Sequence, residues 1–365
     1  MEKIINGIQQ VGIGVSNVQE AWKWYRQNFG VDIRIFEDEA IAGLMLPYTG
    51  GKPQNRYAAL AVNLVGGGGF EIWQYTKRSP LPPSFEINIG DLGIYAIKIK
   101  SKDVKATYEW LRKRDVKTLP LFTDPSGKES FFLKDPYNNV FQIVEGRGWF
   151  RRENKLTGAV YGVTIGVSNI ENALNVYSDI LGYDEIIYDK TDVFEDFQGL
   201  PGSKNKHRRV LLQHSAERTG GFSRLLGPSV IELISVQDRE PQKIFSNRYW
   251  GDLGFIHLCF DISGMEVLKS ECEAKGFPFT VDSFANHNGN SFDMGEAAGH
   301  FSYIEDPDGT LIEFVETHRV PIIKKFGWYL NLKKRDPRKN LPDWMIKSLK
   351  FNRIKDKEVN KKKSA

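Results

Sequence analysis

Short apolar runs separated by turn residues recur along the chain, and most of them predict β-strands. The segment DPDGTLIEFVE (306–316) is representative, because Asp-Pro-Asp-Gly predicts a tight turn and the apolar run after it predicts a strand. Glu313 lies within that strand and shares a face with Leu311 and Val315, since residues two apart point the same way. An isolated buried charge is too costly, so this carboxylate should be paired, protonated or bound to a metal ion.

The pattern repeats at fixed offsets, which indicates an internal duplication. Two of the repeated segments lead into predicted helices that begin after Ser-Asn and end at Gly30 and Gly182, because these residue types favour the two ends of a helix. Agreement at this many positions in the same order is not expected by chance. The three pairs of repeated segments are QQVGIGVSN (9–17) with YGVTIGVSN (161–169), GDLGIYAIKIK (90–100) with GDLGFIHLCFD (251–261), and DPYNNVFQIVE (135–145) with DPDGTLIEFVE (306–316).

Each half divides again into two units with the element order β-α-β-β-β, which span about 8–76, 91–145, 158–237 and 252–316. Four such units predict an α+β protein with four helices and about sixteen strands. The units are expected to pair into two curved, cleft-forming mixed sheets with the helices outside. The predicted regions are a first βαβββ pair in 1–150, a second βαβββ pair in 151–317 and a basic C-terminal extension in 318–365.

The composition is that of a globular protein without a membrane anchor. Hydrophobic residues make up 41% and charged residues 26% of the 365 positions, and a chain of this length is expected to form two domains. The N-terminal MEKIINGIQQ lacks the continuous apolar stretch of a signal peptide, and no apolar run is long enough to span a bilayer. Cys259 and Cys272 are the only cysteines, which argues against a disulfide framework and favours a cytoplasmic location.

The net charge of +4 hides an asymmetry between the body of the chain and its tail. Residues 318–365 contain 16 Lys and Arg against 4 Asp and Glu, a net charge of +12, so the remainder carries −8. Aromatic residues interleave with these charges, and such a mixture could bind nucleic acid or an anionic membrane surface. We favour a tail that wraps across the acidic body, because its aromatic side chains need burial. These aromatic residues are Phe326, Trp328, Tyr329 and Trp344.

The tandem units and their motifs resemble the vicinal oxygen chelate superfamily, which includes glyoxalase I, methylmalonyl-CoA epimerase, extradiol dioxygenases and the fosfomycin and bleomycin resistance proteins. The resemblance rests on units that open with a strand of the QVGIGVSN type and close with a strand of the DPDGTLIEFVE type. It covers about residues 1–317 and implies the fold. It leaves the reaction open, because one fold supports many chemistries.

In this superfamily a metal ion is held by residues from the first and last strands of two paired units. Carried over to this sequence, the resemblance implies His257 and Glu313 from the fourth unit, close enough to share an ion at roughly 2.0–2.3 Å. If the first and fourth units pair, Gln10 and Glu71 complete a set that resembles the Gln/Glu/His/Glu set of glyoxalase I. The second and third units would then form a cleft without a metal, lined by Ala96, Gln142, Gly162 and Glu232.

A second arrangement is open at this stage. If neighbouring units pair, Glu232 joins His257 and Glu313, and Gly162 supplies no ligand. Either shell is rich in oxygen and suits a divalent ion such as Zn, Ni, Mn, Mg or Fe.

The resemblance also indicates which chemistry to expect. Gly162 stands where extradiol-type dioxygenases have a His, so a two-His-one-carboxylate iron site cannot form from the usual positions. Metal-assisted proton transfer remains, with Glu71 and Glu313 as the catalytic carboxylates, acting as ligands, as bases or as both in turn. The predicted function is a metal-dependent isomerase, lyase or epimerase of the glyoxalase type acting on a small oxygenated metabolite. The alternatives are a non-catalytic binding protein of the resistance type and, ranked below it, a ring-cleaving dioxygenase.

Two polar segments, 203–209 and 284–300, are interpreted as loops that could contact a substrate. Nothing in the sequence assigns the basic pocket that a glutathione conjugate would need. The predicted partner is therefore a small-molecule substrate, with nucleic acid left open by the basic tail alone. The candidate substrate contacts are His207, Arg208, His287 and His300.

Overall fold

The computed structural model describes residues 2–285, 292–293, 298–323 and 328–355. The first unit consists of β1 (Ile4–Gly14), α1 (Val18–Phe29), β2 (Ile33–Ala42), β3 (Gln54–Val62) and β4 (Gly69–Tyr75). The second consists of β5 (Gly93–Ser101), α2 (Val104–Arg112), β6 (Phe122–Thr123), β7 (Glu129–Lys134) and β8 (Val140–Glu145).

The second half repeats this order with additions. The third unit consists of β9 (Thr157–Gly166), α3 (Ile170–Tyr177), β10 (Glu185–Asp192), β11 (His207–Gln213), α4 (Ser223–Leu226) and β12 (Val230–Val236). The fourth consists of β13 (Gly254–Ser263), α5 (Met265–Ala274), β14 (Val281–Asp282), β15 (Phe292–Asp293), β16 (Ala298–Glu305) and β17 (Leu311–Ile323). The tail adds β18 (Trp328–Asn331), α6 (Asp343–Ser348) and a closing 3-10 turn (Leu349–Asn352).

The predicted helix starts are confirmed. The side chains of Asn17 and Asn169 accept hydrogen bonds from the backbone N–H groups three residues on, at the starts of α1 and α3. Gly30 ends α1 with a φ of 65°. The expected end of α3 at Gly182 was too late, because regular helix stops at Tyr177 and a turn continues to that glycine. No helix in the described part of the chain is both long and apolar enough to cross a membrane.

The units pair as first with fourth and second with third. β1 lies antiparallel to β13, which joins the first and fourth units in a ten-stranded sheet of order β14-β16-β17-β13-β1-β4-β3-β2, with β15 and β18 added beside β16 and β17. β5 lies antiparallel to β9, which joins the other two units in an eight-stranded sheet of order β10-β11-β12-β9-β5-β8-β7-β6. The point at 150/151 therefore marks the sequence repeat, since each sheet takes one unit from each half.

Units that are neighbours in sequence meet through their helices instead. Tyr25 of α1 donates a hydrogen bond to Asp135 at 2.5 Å, in the turn before β8. Tyr177 of α3 donates to Asp306 at 2.8 Å, in the turn before β17. In both turns the second carboxylate oxygen of the Asp accepts backbone N–H bonds, so the Asp-Pro turn is fixed from two sides. The sheets thus join the first unit to the fourth and the second to the third. The helices join the first unit to the second and the third to the fourth.

Strand alternation separates the core from the cleft. Val11, Leu258 and Phe314 are fully buried in a core formed by residues of both sheets and of the helices of the four units. Their neighbours along the same strands, Gln10, His257 and Glu313, point to the opposite face. The polar residues that interrupt the apolar strands are therefore gathered on one side of the ten-stranded sheet.

The tail is tied to the body, but its boundary and its anchors differ from the prediction. β17 continues through Ile323 and β18 pairs with it, so the expected boundary at 317/318 falls inside a strand. Leu341 and Ile346 are each 2% exposed and anchor the tail, whereas Trp344 is 64% exposed. Phe326 lies outside the described residues. Charge contributes as expected, since Arg353 pairs with Asp32 at 2.9 Å and with Glu153 at 2.6 Å.

Removing residues 333–365 is expected to lower the free energy of unfolding by about 3 to 6 kcal/mol, the transfer free energy of two buried aliphatic side chains. The deletion keeps β18 and removes Leu341 and Ile346. Urea denaturation measures the loss, and binding of a hydrophobic dye reports the apolar surface that is exposed. If the truncated protein unfolds at the same urea concentration and loses only salt-sensitive binding to polyanions, the tail is a partner-binding arm.

Candidate metal centre

Four side chains converge where the first and fourth units meet. Gln10 lies on β1, Glu71 on the adjacent β4, His257 on β13 and Glu313 on the adjacent β17. Both carboxylate-bearing strands run parallel to their inner neighbours, so the two glutamates flank the β1–β13 seam from opposite sides. The structure therefore brings together the four residues that the pairing of units one and four implies.

The geometry of this cluster is compact. Nε2 of His257 lies 3.1 Å from Oε2 of Glu313 and 3.4 Å from Oε2 of Glu71. Nε2 of Gln10 lies 3.4 Å from Oε2 of Glu313 and 3.5 Å from Oε2 of Glu71. One donor atom each from Glu71, His257 and Glu313 can be chosen within 4.8 Å of the others. The side chain of His257 is fully buried, whereas those of Glu71 and Glu313 are 14% and 9% exposed.

The sequence around His257 holds its ring in place. Gly12 lies opposite His257 in the strand register, and a Cβ atom at Gly12 would come within 2.4 Å of the ring. Trp250 stacks parallel to the imidazole at 6.0 Å between ring centroids, and Tyr303 packs edge-on at 5.6 Å. The ring is thus confined by aromatic side chains in a space that only glycine leaves open.

The donor set fits a divalent metal ion. Nε2 of His257 is buried and forms no well-aligned hydrogen bond although it faces two carboxylates, and Oε1 of Gln10 is a buried acceptor without a partner in the described structure. A half-turn of the Gln10 amide would turn that oxygen toward the carboxylates. Two carboxylates, one imidazole and one amide oxygen are ligands that Zn, Ni, Mn, Mg and Fe accept. Buried polar atoms normally have hydrogen-bond partners. Several that face the same space without partners are expected where a metal ion binds.

The site has a predictable pH response. Burial alone would lower the pKa of His257, but the charge of Glu313 and contact with Glu71 raise it to about 9 in the metal-free protein. A histidine ligand must be neutral, so metal binding below that pH displaces a proton. At pH 7 we expect close to one proton released from His257 per ion, and none well above pH 9. Calorimetric titrations in buffers of different ionisation enthalpy measure this number, and a value near zero at both pH values would contradict the site.

At the corresponding positions of the eight-stranded sheet, the carboxylate is held by fixed cations instead of facing an open space. Glu232 occupies the repeat position of Glu71, and its Oε2 accepts a hydrogen bond from Lys98 at 2.7 Å. Its Oε1 accepts one from Arg209 at 2.8 Å and another from Tyr188 at 2.6 Å. Burial alone would raise the pKa of Glu232, but the charges of Arg209 and Lys98 hold it well below the usual value. Fixed cations already neutralise this carboxylate, so it is not available as the alternative ligand to His257.

The second cleft, on the eight-stranded sheet, has other residues that also leave no role for a metal ion. Lys98 also donates to Gln142, which stands at the repeat position of Glu313. A Cβ atom at Gly162 would lie 2.1 Å from the carbonyl oxygen of Val230, so a larger ligand residue has no space there. Sequence reasoning missed Lys98 and Arg209. The available signal was that Lys98 follows Ala96 by two positions and so shares its strand face.

The candidate substrate contacts lie elsewhere. Nε2 of His207 is 3.2 Å from the carbonyl oxygen of Ile89, in the eight-stranded sheet. Arg208 is held by two surface carboxylates. His300 is buried against Asp282 at 2.7 Å. None of these three side chains lines the cavity beside Glu71, and Nδ1 of His207 is buried without a hydrogen-bond partner among the described residues. His287 lies outside the described residues.

A cavity of about 690 Å³ opens directly onto the cluster. Gln10, Glu71 and Glu313 form part of its wall, and most of the remaining wall is apolar. The C-terminal segment 341–352 lies against the same space. The centre therefore combines a buried imidazole, two partly accessible carboxylates and a volume suited to a small organic molecule.

Comparison with known proteins places this arrangement in context. Residues 7–143 match the model of the Glyoxalase/Bleomycin resistance protein/Dioxygenase superfamily. No curated protein matches the chain at a significant level. Glyoxalase I from Zea mays superposes with a TM-score of 0.52 at 12% sequence identity, over 86% of this chain and 92% of that chain. A Bacillus subtilis protein whose assignment as a dioxygenase is provisional gives a TM-score of 0.56 at 12% identity, over 97% and 98%.

Identities this low establish the fold and not the reaction. The modular sheets and the superfamily match agree with each other, and they confirm the resemblance that the repeated motifs indicated. The chain thus has the vicinal oxygen chelate fold, and its residues 7–143 are similar to the Glyoxalase/Bleomycin resistance protein/Dioxygenase superfamily.

Proposed function

We propose that the protein is a metal-dependent isomerase, lyase or epimerase of the glyoxalase type, which acts on a small oxygenated molecule by carboxylate-mediated proton transfer. The observation that carries the proposal is the placement of two carboxylates, Glu71 and Glu313, within 3.4 Å of Nε2 of one buried imidazole at the edge of a cavity. The proposed ligands are Gln10, Glu71, His257 and Glu313.

A divalent ion held there would polarise a carbonyl or a pair of vicinal oxygens and acidify the adjacent C–H bond. The protein side chains supply the remaining requirements. One glutamate oxygen accepts the proton from the acidified carbon, and the same or the opposite glutamate returns it to the substrate. His257, which its aromatic neighbours immobilise, stays a fixed donor during the exchange. The apolar cavity wall keeps bulk water away from the carbanion-like species that forms.

The donor set disfavours a ring-cleaving dioxygenase. That chemistry uses two histidines and one carboxylate around iron. In the described structure His257 is the only histidine of this cluster, and Gln10 and Glu71 occupy the positions contributed by the first unit. Gly162 lies in the eight-stranded sheet and therefore has no bearing on this cluster, in which the presence of a single histidine among the described residues disfavours the iron site.

A second candidate, a binding protein of the resistance type, is favoured by one observation. Aromatic side chains of Phe36, Trp73, Trp250 and Phe301 line the cavity beside the cluster. Such a wall can retain an apolar ligand without any reaction.

Deuterium exchange distinguishes the two candidates. The metal-loaded protein is incubated in D₂O with a panel of α-hydroxyketones, and incorporation at the carbon next to the carbonyl is followed by NMR. An isomerase-type site is expected to catalyse exchange that both Glu71→Gln and Glu313→Gln abolish. Saturable binding without exchange by the metal-loaded wild-type protein would overturn the catalytic proposal in favour of the binding one.

A further inference from the structure

The side chains that line the cavity indicate how polar the substrate is, which the metal cluster alone does not. One part of it is aromatic and sulfur-containing, with Phe36, Met45, Trp250 and Phe301 around the cluster. Another part is aliphatic, with Val62 and Leu225 from the body facing Leu341 and Met345 from the tail. The polar groups of Gln10, Glu71 and Glu313 are therefore confined to one region of an otherwise largely apolar space.

The charged side chains of the cavity wall disfavour anionic ligands, because the one cation that the structure describes there is paired and two carboxylates remain. Among the described residues of its wall, Arg56 is the only cation, and its guanidinium is paired with Asp38 and lies 6.0 Å from the ring centroid of Phe36. The remaining charged side chains of the wall are Glu71 and Glu313. A phosphate, a nucleotide carrier or a glutathione conjugate needs unpaired cations, so the described residues of this wall provide no anchor for such groups.

The tail extends the apolar lining to the entrance. Leu341 and Ile346 are buried against the body and hold α6 in place, while Met345 faces the cavity between them. Ile41 and Trp344 also border the cavity and are 63% and 64% exposed. Exposed apolar side chains that border a cavity are typical of a ligand-binding groove.

We propose that the substrate is a neutral and largely apolar molecule with its oxygenated group at one end. That end lies toward Glu71 and Glu313, and the hydrocarbon body lies between the ten-stranded sheet and the tail segment 341–352. The inference rests on the proposed function for the orientation of the oxygenated end. The tail is then a wall of the binding site that sets the length of hydrocarbon accepted.

The test uses Nile red, a neutral apolar dye whose emission rises in a dry environment, with the full-length protein after removal of metal. We expect saturable binding of the dye, and displacement by α-hydroxyketones whose affinity grows by about fourfold for each added methylene until the cavity is full. S-hexylglutathione, which carries the same hydrocarbon on an anionic peptide, is expected to displace the dye less well than a neutral ketone with an equal chain.

A matched pair of variants locates the site. Met345→Glu places a charge in the cavity wall and should weaken dye binding by at least about tenfold. Phe351→Glu makes the same type of change in the same tail at a residue that is 80% exposed and outside the cavity wall, and it should leave binding within about twofold. Equal effects of the two variants, absence of dye binding or preference for the anionic competitor would overturn the inference.

Failure of this inference is separable from failure of the proposed function. Metal affinity is measured on the same protein without dye. If metal fails to bind while the dependence on chain length persists, the catalytic proposal is wrong and the apolar cavity stands. If metal binds tightly and no apolar ligand enters, the inference about the substrate is wrong and the metal centre stands.

Discussion

Replacing Glu313 with Gln is expected to weaken divalent metal binding by at least about 100-fold, because changes in the outer shell of a metal site alone cost about 10- to 100-fold. The change removes an anionic donor that lies 3.1 Å from Nε2 of His257 and keeps the size of the side chain. Metal-dependent turnover should be lost with it. Glu313 borders the cavity and forms no ion pair with a Lys or Arg among the described residues, so the fold should be retained.

Competition with a chelating indicator measures the affinity, and circular dichroism checks the fold. Glu145→Gln is a suitable control, since that side chain is 59% exposed at the end of β8 and its ion pair among the described residues is a surface one with Lys128. The control should bind metal like the wild type. Full metal content and activity in Glu313→Gln would show that Glu313 is neither a metal ligand nor a catalytic residue, and only the resemblance of fold would remain.

The second large effect is expected on stability. Glu232→Gln should lower the free energy of unfolding by about 3 to 5 kcal/mol, because it leaves buried Arg209 and Lys98 without their shared counter-charge. Metal affinity should stay unchanged, since Glu232 belongs to the other sheet. Urea denaturation and the same indicator competition provide both quantities.

Glu71→Gln is the matched comparison for this prediction. Glu71 and Glu232 stand at the same position of the repeat and the substitution is identical, but Glu71 borders the cavity and contacts no fixed cation other than protonated His257 among the described residues. It should lose metal affinity with a smaller loss of stability. If Glu232→Gln lowered metal affinity while Glu71→Gln did not, the metal site would have been assigned to the wrong cleft.

The repeated motifs predict a large part of the fold. Local sequence patterns are sufficient to predict the helices and strands of each unit, because the Asp-Pro turns, the Asn caps and the strand alternation each act over a few residues. The candidate ligands followed from position in the repeat together with a resemblance to a known superfamily. Glu313 was conspicuous from the sequence alone, since it is a carboxylate within an apolar strand.

The pairing of the units could not be decided in the same way. It depends on contact between β1 and β13, which are about 250 residues apart, and the repeat makes either pairing compatible with the local pattern. The hydrogen bonds of Tyr25 and Tyr177 to the turns of the following units were equally hidden. Both tyrosines lie on helices where an aromatic residue is expected in the core, so nothing marked their hydroxyl groups as links.

Composition was a poor guide to the polar residues outside the centre. His207 lies in a segment interpreted as a loop from its charges, yet β11 begins at that residue and its ring is buried. Trp344 was expected to anchor the tail, but the aliphatic Leu341 and Ile346 do so. Burial is decided by the partner surface, which a single chain segment does not reveal.

We expect the cleft of the ten-stranded sheet to hold a divalent ion and the cleft of the eight-stranded sheet to hold none. Anomalous X-ray scattering from crystals of the full-length protein grown with Zn or Mn tests this most directly, because it locates the ion without reference to activity. We expect one strong peak among Gln10, Glu71, His257 and Glu313, and none beside Lys98 and Glu232. A peak in the second cleft, or no peak in the first at saturating metal, would contradict it.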